Sequence, residues 1–445
     1  MVIGYTPINY AYFISFYGYN PKNFLYLSSF TGYTLIKRSM SMLNRPLYYE
    51  KIRPFINKPF IKVITGIRRC GKSTMMLMIQ QLLKEEGVAS KQIISINFES
   101  MKYYDLRTSL ALYTYVSDLL KTMESPAYVF FDEIQIVEKW EEAVNSLFLD
   151  FQIDMYITGS NSQLLSSELS TLLTGRYIHI EMQVLSFTEM LGFRSDQQET
   201  QENLLWLYIR RGGFPVVHLT DDYDEKATYM IIHDIFDSIV LRDVVQRYKI
   251  RDVELLRRIL NFIADSVGST ISAKRIADYF KSQARSVDIN TVYTYLDALV
   301  SSFLITRVQR FDIQGRELLK TQEKYYLADS GLQHAVFGYR DRHISGILEN
   351  IVYSELVRRG YKVYIGKVGS QEVDFIAEQA PKKLYVQVAF KLESEETVQR
   401  EFSPLLSIRD SYPKFVVTMD PHFQDTIEGV RHIGLYQFLT DYRLF

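Results

Sequence analysis

Apolar and polar positions change period several times along the chain. From Leu43 to about Arg194, short apolar runs alternate with amphipathic ones. Ile61–Thr65, Gln92–Phe98, Tyr128–Phe131, Ile153–Ile157 and Tyr177–Met182 read as strands. The patterns near Thr74–Lys84, Leu106–Lys121 and Glu138–Leu149 read as helices. Short apolar strands separated by helices predict an α/β fold with a parallel sheet covered on both faces. A ligand of such a sheet sits at the carboxyl ends of its strands.

Beyond this core the pattern shifts. Residues 196–252 read as a helical lid. From Val253 to about Gly338, Leu255, Leu256, Ile259, Leu260 and Ile263 mark one helical face, followed by Ala273–Phe280 and Ile289–Leu299. Two extended runs, Phe303–Phe311 and Lys324–Leu327, close the region with Gly315 between them. Three helices and a hairpin predict a winged helix over 253–340. Residues 341–445 then give helix Ile347–Arg359, strands Lys362–Ile365, Glu372–Ala377 and Leu384–Ala389, helix Thr397–Ile408 and strand Lys414–Met419. Residues 1–42 stand apart: they are crowded with Tyr and Phe and carry no charge before Lys22. Gly4, Pro7, Asn9, Gly18 and Asn20 break that run, which has no basic start, so it fits neither a signal peptide nor a membrane span. A start at Met40 or Met42 would make this extension foreign to the protein.

Composition narrows the class. A length of 445 residues with 47% hydrophobic residues allows two to four domains with real cores. A net charge of −1 gives no global field toward nucleic acid or anionic lipid, so contact with either needs a local patch. One cysteine, Cys70, excludes an internal disulfide and suits a reducing cytoplasm.

The chemistry gathers after the first strand. Gly66-Ile67-Arg68-Arg69-Cys70-Gly71-Lys72-Ser73-Thr74 fits the phosphate-loop pattern G-x-x-x-x-G-K-[ST]. Its glycines let successive N–H groups point into one concavity, and the following helix adds its N-terminal dipole. Lys72 supplies a charge for the β- and γ-phosphates of ATP, and Ser73 a hydroxyl for Mg²⁺. The third strand ends in Phe131-Asp132-Glu133. Asp132 there can hold Mg²⁺ through water, and Glu133 can orient and deprotonate the attacking water. The fourth strand ends in Thr158-Gly159-Ser160-Asn161, where Asn161 or Ser160 can bond the γ-phosphate or the lytic water, or cap the next helix. Arg176, before the fifth strand, is either a surface ion-pair partner or a residue reaching a neighbour's γ-phosphate, which would require a homo-oligomer. Arg242 and Arg247 in the lid can touch phosphate, or pair with Asp237, Asp243 or Asp252. Cys70 at a helix N-terminus can have a lowered pKa, or simply fill the loop as a small residue.

The loop with Arg68-Arg69, Phe131-Asp132-Glu133-Ile134-Gln135, Thr158-Gly159-Ser160-Asn161-Ser162, Leu173-Thr174-Gly175-Arg176 and Leu185-Ser186-Phe187 with Glu189 together resemble the prokaryotic AAA_14 family of AAA+ ATPases. Arg211-Gly212-Gly213-Phe214-Pro215, the Ile239–Val244 helix and Glu372-Val373-Asp374-Phe375 extend the resemblance to the C-terminal DUF4143 domain that usually accompanies it. The resemblance covers the chain from about Leu43 onward. It implies Mg²⁺-ATP binding and hydrolysis, coupled to domain rearrangement.

Two further functions are open on the sequence. The candidate recognition helix offers Asn290, Thr291, Tyr293 and Thr294, with Arg285, Arg307, Arg310, Arg316 and Lys320 as a basic rim for DNA. It has no Arg or Lys of its own, and winged helices also bind proteins. The C-terminal element order, with Glu349 and Asp374, resembles the PD-(D/E)XK nuclease fold. Its third motif reads Gln387-Val388-Ala389, with alanine in the lysine position and Lys391 two residues on. That departure argues against cleavage. The alternatives to an ATPase motor are therefore a nucleotide-gated DNA-binding regulator or nuclease, and a slow ATP switch controlling a protein partner.

Overall fold

The computed structural model describes residues 45–444 except 124, 166–174, 195–198, 220–222, 339–342 and 421–425. The aromatic N-terminal extension and Leu173-Thr174 lie outside the described residues.

The chain enters through helix α1 (Pro46–Ile52) into strand β1 (Ile61–Thr65), then α2 (Lys72–Glu85), β2 (Ile93–Asn97), α3 (Ser109–Lys121), β3 (Ala127–Asp132), α4 (Trp140–Asp150), β4 (Ile153–Gly159) and β5 (Tyr177–Glu181). These strands form one five-stranded sheet in the order β2-β3-β4-β1-β5, with every pairing parallel. β1, β3 and β4 are buried along their whole length. That is why they read as continuous apolar runs rather than alternating ones. One charge inside β1 escapes the pattern: Lys62 is fully buried, paired with Asp154 of β4, whose other oxygen accepts from the Tyr156 hydroxyl at 2.8 Å. Stacked Phe130 and Tyr156 and the edge contact of Phe98 with Phe131 lock β3 between its neighbours. They fix where its carboxyl end emerges.

The next segment is helical: α5 (Phe187–Phe193), α6 (Gln201–Arg211) and α7 (Glu225–Ser238), which runs on into a π-helical turn over Ile239–Gln246. Then come α8 (Val253–Asp265), α9 (Ala273–Ser282) and α10 (Ile289–Ser301), and the antiparallel strands β6 (Ile305–Asp312) and β7 (Glu317–Leu327). The three helices and the hairpin appear in the expected order, but the hairpin is not a separate wing. β6 pairs in parallel with β8 (Lys362–Val368), joining the hairpin to the C-terminal sheet. After α11 (Ser330–Ala335) and α12 (Ile344–Arg358), that sheet continues through β9 (Gln371–Gln379), β10 (Lys382–Ala389), α13 (Glu395–Leu406), β11 (Lys414–Thr418), β12 (Thr426–Ile427), β13 (Val430–Gly434) and α14 (Leu435–Thr440). The result is a mixed eight-stranded sheet in the order β12-β13-β11-β10-β9-β8-β6-β7. Two of its strands, β12 and β13, are not apparent in the apolar pattern.

Residues 45–445 form one compact unit. One core cluster runs from Ile64, Cys70 and Met76 beside the first sheet through Ile239 and Val244 to Leu256, Leu299 and Leu332. The lid and the three-helix segment therefore pack against the same face as the loop after β1.

Candidate functional site

The site forms where β1, β3 and β4 end. Gly66 leaves β1 with φ +146°, and a Cβ there would stand 2.1 Å from the Met182 carbonyl, so only glycine lets the loop pass β5's exit. Gly71 caps α2 at φ +106°. Between them, Ile67 and Cys70 turn inward and are buried, while Arg69 faces outward. Cys70 is fully buried, so its thiol packs as a small core residue, out of reach of an oxidant. Lys72 is also buried, and its ammonium donates to the Gly66 and Ile67 carbonyls at 2.9 and 3.1 Å. Ser73 and Thr74 follow on the first turn of α2, Ser73 exposed. Arg68 pairs with Glu99, just past β2.

The acids expected at β3's end lie beside this loop. Asp132 accepts from Asn97 at 2.8 Å and from the Thr158 hydroxyl at 2.5 Å, and Ser73 also hydrogen-bonds it. Burial pushes its carboxyl up from the ordinary range, against those hydrogen bonds. Glu133 holds φ 55° and ψ 48°, a left-handed conformation rare outside glycine, and its N–H donates to Thr158 at 3.0 Å. Its carboxylate takes a hydrogen bond from Gln135 and lies 3.9 Å from the Lys72 ammonium. Thr158, read in the sequence only as part of a strand end, is thus the hydroxyl that binds both acidic positions.

Asn161 is buried at the end of β4, and its amide donates to the Tyr248 hydroxyl at 3.3 Å. Ser160 donates to Asp243 at 3.2 Å. Asp243 and Tyr248 come from the π-helical turn and the residues just after it. The π turn places them over the sheet ends, a use common at functional sites. Arg247 pairs with Asp243 at 3.8 Å, the ion-pair alternative for that residue, while Arg242 is exposed. Arg176 stands away from the loop. It precedes β5, its carbonyl accepts from the Ile61 N–H at 2.8 Å, and its exposed guanidinium donates to Asn145 at 3.3 Å. It therefore lies at the opposite end of the parallel strands from Lys72, out of reach of its own loop.

One residue that shapes the site has no motif at all. Arg45 is 1% exposed. Its guanidinium donates to the Cys70 carbonyl at 2.9 Å, to the Gln183 and Val184 carbonyls at 2.9 and 3.1 Å, and to both oxygens of Glu189 at 2.9 and 3.1 Å. It ties the phosphate loop to the exit of β5 and to α5.

In the C-terminal sheet, Glu349 and Asp374 do come together, but around an ammonium: Lys324 of β7. Gln387 accepts from the Asp374 N–H at 3.2 Å and donates to Glu401 at 3.0 Å. Lys391 is elsewhere, exposed and paired with Glu393 at 3.3 Å. Of the expected basic rim, Arg285 pairs with Asp252 at 2.5 Å, Arg307 with Asp297 at 2.6 Å, and Arg310 bonds Gln322. No helix among the described residues is long and apolar enough to cross a membrane.

A parallel sheet of this order, with a glycine-bounded loop entering α2 and acids at the end of β3, one strand beyond β4, defines a P-loop ATPase core of the AAA type. Residues 58–191 match the AAA_14 family, described as an AAA domain. Residues 202–343 match a domain of unknown function, DUF8612. An uncharacterized protein of Haemophilus influenzae is 38% identical over 403 residues, 90% of this chain and 99% of its own length. One of Methanocaldococcus jannaschii is 31% identical over 82% of this chain and 81% of its own. A Walker-type ATPase of Pyrococcus abyssi aligns with a TM-score of 0.45 and 15% identity, covering 66% of this chain and 95% of its own. AMPPCP-bound DnaA of Aquifex aeolicus aligns at 0.31 and 15%, covering 58% and 88%. The chain belongs to the AAA_14 family of AAA-domain proteins. The DUF4143 expectation is corrected by the DUF8612 match. Arg211–Pro215 and Ile239–Val244, which suggested it, lie inside the DUF8612 segment. Motifs of five or six residues specify a turn or a helix face, not a whole domain.

Proposed function

We propose that the protein is a cytosolic Mg²⁺-dependent ATPase of the AAA+ type that couples nucleotide turnover to movement of the lid and the domains beyond it. The observation that carries this reading is the convergence of Lys72, Ser73, Asp132, Glu133 and Asn161 on one end of one sheet. ATP fits the donor set. Lys72 spends its ammonium on two loop carbonyls, and a phosphate is the stronger, charge-assisted acceptor. Mg²⁺ fits as well, since Ser73 and Asp132 offer two hard oxygens already side by side. When bound, Mg²⁺ supplies charge to the phosphate oxygens.

The chain's own residues do the rest. Lys72 turns from the loop carbonyls to the β- and γ-phosphates, which releases Glu133 from its ion pair. Glu133, held by Gln135 and by its strained backbone, takes a proton from the attacking water. Asn161 contacts the γ-phosphate side of the site and, through Tyr248, the lid. Loss of the γ-phosphate therefore alters a contact the lid also makes. Arg176 would act only on a neighbouring subunit. The expected result is that Lys72→Ala abolishes ATP binding, while Glu133→Gln binds ATP and stops turning it over. Turnover by Glu133→Gln at the wild-type rate would remove the general-base role.

The second reading, a slow switch acting on a protein partner, is favoured over a DNA motor by the ion pairs that hold Arg285 and Arg307. A low turnover number, unchanged by DNA but accompanied by an ATP-dependent change in proteolytic pattern, would select it.

A further inference from the structure

Lys324 is 1% exposed, the deepest of the described cations in the C-terminal half, and it is surrounded by acids. Its Nζ lies 2.7 Å from Glu349, 2.8 Å from Glu372 and 3.2 Å from Asp374. Tyr326, next but one on the same strand, donates to the same Glu349 oxygen. The second Asp374 oxygen accepts from the Val388 N–H at 2.9 Å, and Glu401 reaches the cluster through Gln387. A turn roofs the site: a Cβ on Gly268 would come within 2.9 Å of the second Glu349 oxygen.

The sources of these groups matter. Lys324 comes from the hairpin, within the segment that matches DUF8612. Glu349 comes from α12 and Glu372 and Asp374 from β9, all beyond that segment. The register of β7 against β6 shifts between Val308 and Arg310, immediately past the Val308–Lys324 pair. At that point β7 departs from regular pairing and delivers its lysine into the other sheet region's acids. Leu327 is tied to the same helix by two hydrogen bonds with the Asn350 side chain, at 2.7 and 2.9 Å.

We propose that Lys324 is the resident cation of this cluster: its ammonium stands where a divalent ion would have to stand, so the cluster locks the hairpin to the C-terminal domain and takes no metal. The carboxylate oxygens that would ligate a metal are those the ammonium already uses. A buried ammonium with three donors satisfies three acceptors and leaves no hard-cation vacancy. Isolated buried carboxylates cannot stay charged, so the lysine is also what permits this packing.

Two measurements on the full-length, nucleotide-free protein test this. First, Mn²⁺ added at millimolar concentration should remain free in its electron paramagnetic resonance signal. Bound Mn²⁺ that survives Ser73→Ala but is lost in Asp374→Asn would overturn the proposal. Second, Lys324→Met strands the carboxylates, and should lower Tm by about 4–6 °C. It should also speed hydrogen exchange at the amides of Tyr325, Tyr326 and Leu327. The triple variant Lys324→Met, Glu349→Gln, Asp374→Asn removes the two buried charges, leaving only Glu372, whose side chain is 35% exposed, and should recover at least half of that loss. If Lys324→Met does not fold, recovery of folded protein in the triple variant supports the same conclusion. A Lys324→Met protein with wild-type Tm and exchange, or a triple variant no better than the single one, would refute it.

Discussion

Truncating Arg45 should damage the nucleotide site without touching any motif. Arg45 and Glu189 are 1% and 9% exposed, so their pairing is screened little by water. Removing one partner of such a pair costs about 3–5 kcal/mol, because the other charge stays buried. The hydrogen bond to the Cys70 carbonyl is charge-assisted, about 1.5–3 kcal/mol, and it fixes the loop's shape. If half of that reappears as loop freedom, ATP affinity falls about three- to tenfold, at 1.4 kcal/mol per decade. Arg45→Lys keeps a charge but not the fork that reaches Glu189, Val184 and Cys70 together, so it should fall between wild type and Arg45→Ala. Urea unfolding followed by the fluorescence of Trp140 and Trp206, with titration of a fluorescent ATP analogue, measures both effects. The pH dependence adds a sign. Burial pushes the Glu189 carboxyl up, but Arg45 outweighs this and holds it below its ordinary 4.5. The pair's contribution is therefore complete above pH 4.5 and is lost as pH falls through the lower folded value. In Arg45→Ala, Glu189 is buried without its salt-bridge partner, left with the Ser186 N–H and the more distant charge of Arg358, and the penalty for its charge grows as pH rises past 4.5. The stability gap between variant and wild type should thus be large at neutral pH and shrink in acid. A gap under about 1 kcal/mol, or one that does not change with pH, would refute the reasoning.

Gly66→Ala should cost at least about 2 kcal/mol and abolish ATP binding, since the added Cβ meets the Met182 carbonyl at 2.1 Å; differential scanning fluorimetry with and without ATP reads both. Asp243→Asn should lower ATP turnover about tenfold with a smaller change in the Kd for ATP, because Asp243 hydrogen-bonds Ser160 and pairs with Arg247 and reaches the loop only through the charge of Arg68; steady-state rates and equilibrium binding separate the two. Duplex DNA should neither stimulate ATP hydrolysis nor bind with strong salt dependence, since Arg285, Arg307 and Arg310 already have partners; a log–log salt slope of about −5 or steeper would reverse that view.

What could be read in the sequence follows from the range of the forces involved. The strands of the first sheet are buried on both faces, so their apolar runs stand out, and Ile61–Thr65 has the same bounds in both readings. Asp132 and Glu133 are legible because a phosphate loop needs acids at the end of another strand of the same sheet, and only one apolar run of the core finishes in two acids. The Thr158 hydroxyl that binds both positions is not legible, because threonine is ordinary in a strand. Lys62 and Lys324 break the pattern outright: each is a charge in a strand, made tolerable by acids distant in sequence. Arg45 is 144 residues from Glu189, and no local signal marks it. The pairing that joins the hairpin to the C-terminal sheet is not legible for a related reason. β6 and β8 join through three residue pairs, Arg310–Ile365 to Asp312–Lys367, and neither strand has a period that announces its partner.

The same long-range contacts bear on how a nucleotide could act at a distance. The Val184 carbonyl accepts from Arg45 at 3.1 Å and from Arg358 at 3.3 Å. Arg45 holds the phosphate loop through Cys70. Arg358 ends α12, is paired with Glu355 at 2.8 Å, and shares its helix with Glu349 of the lysine-filled cluster. A carbonyl oxygen has two lone pairs, and here both are claimed by guanidinium groups from different parts of the chain. Any shift of the loop that draws Arg45 away from Val184 must either leave that carbonyl half-served or let Arg358 follow. Neither arginine can retreat to water, since both are buried. Arg358→Lys, which keeps the charge but loses the fork, is therefore the variant that should uncouple α12 from the loop while leaving Lys72 and Glu133 in place. Its signature would be ATP binding like that of wild type, with the ATP-dependent change in hydrogen exchange along Ile344–Arg358 lost. Retention of that change would mean that α12 responds to the nucleotide by another route, or through the lid alone.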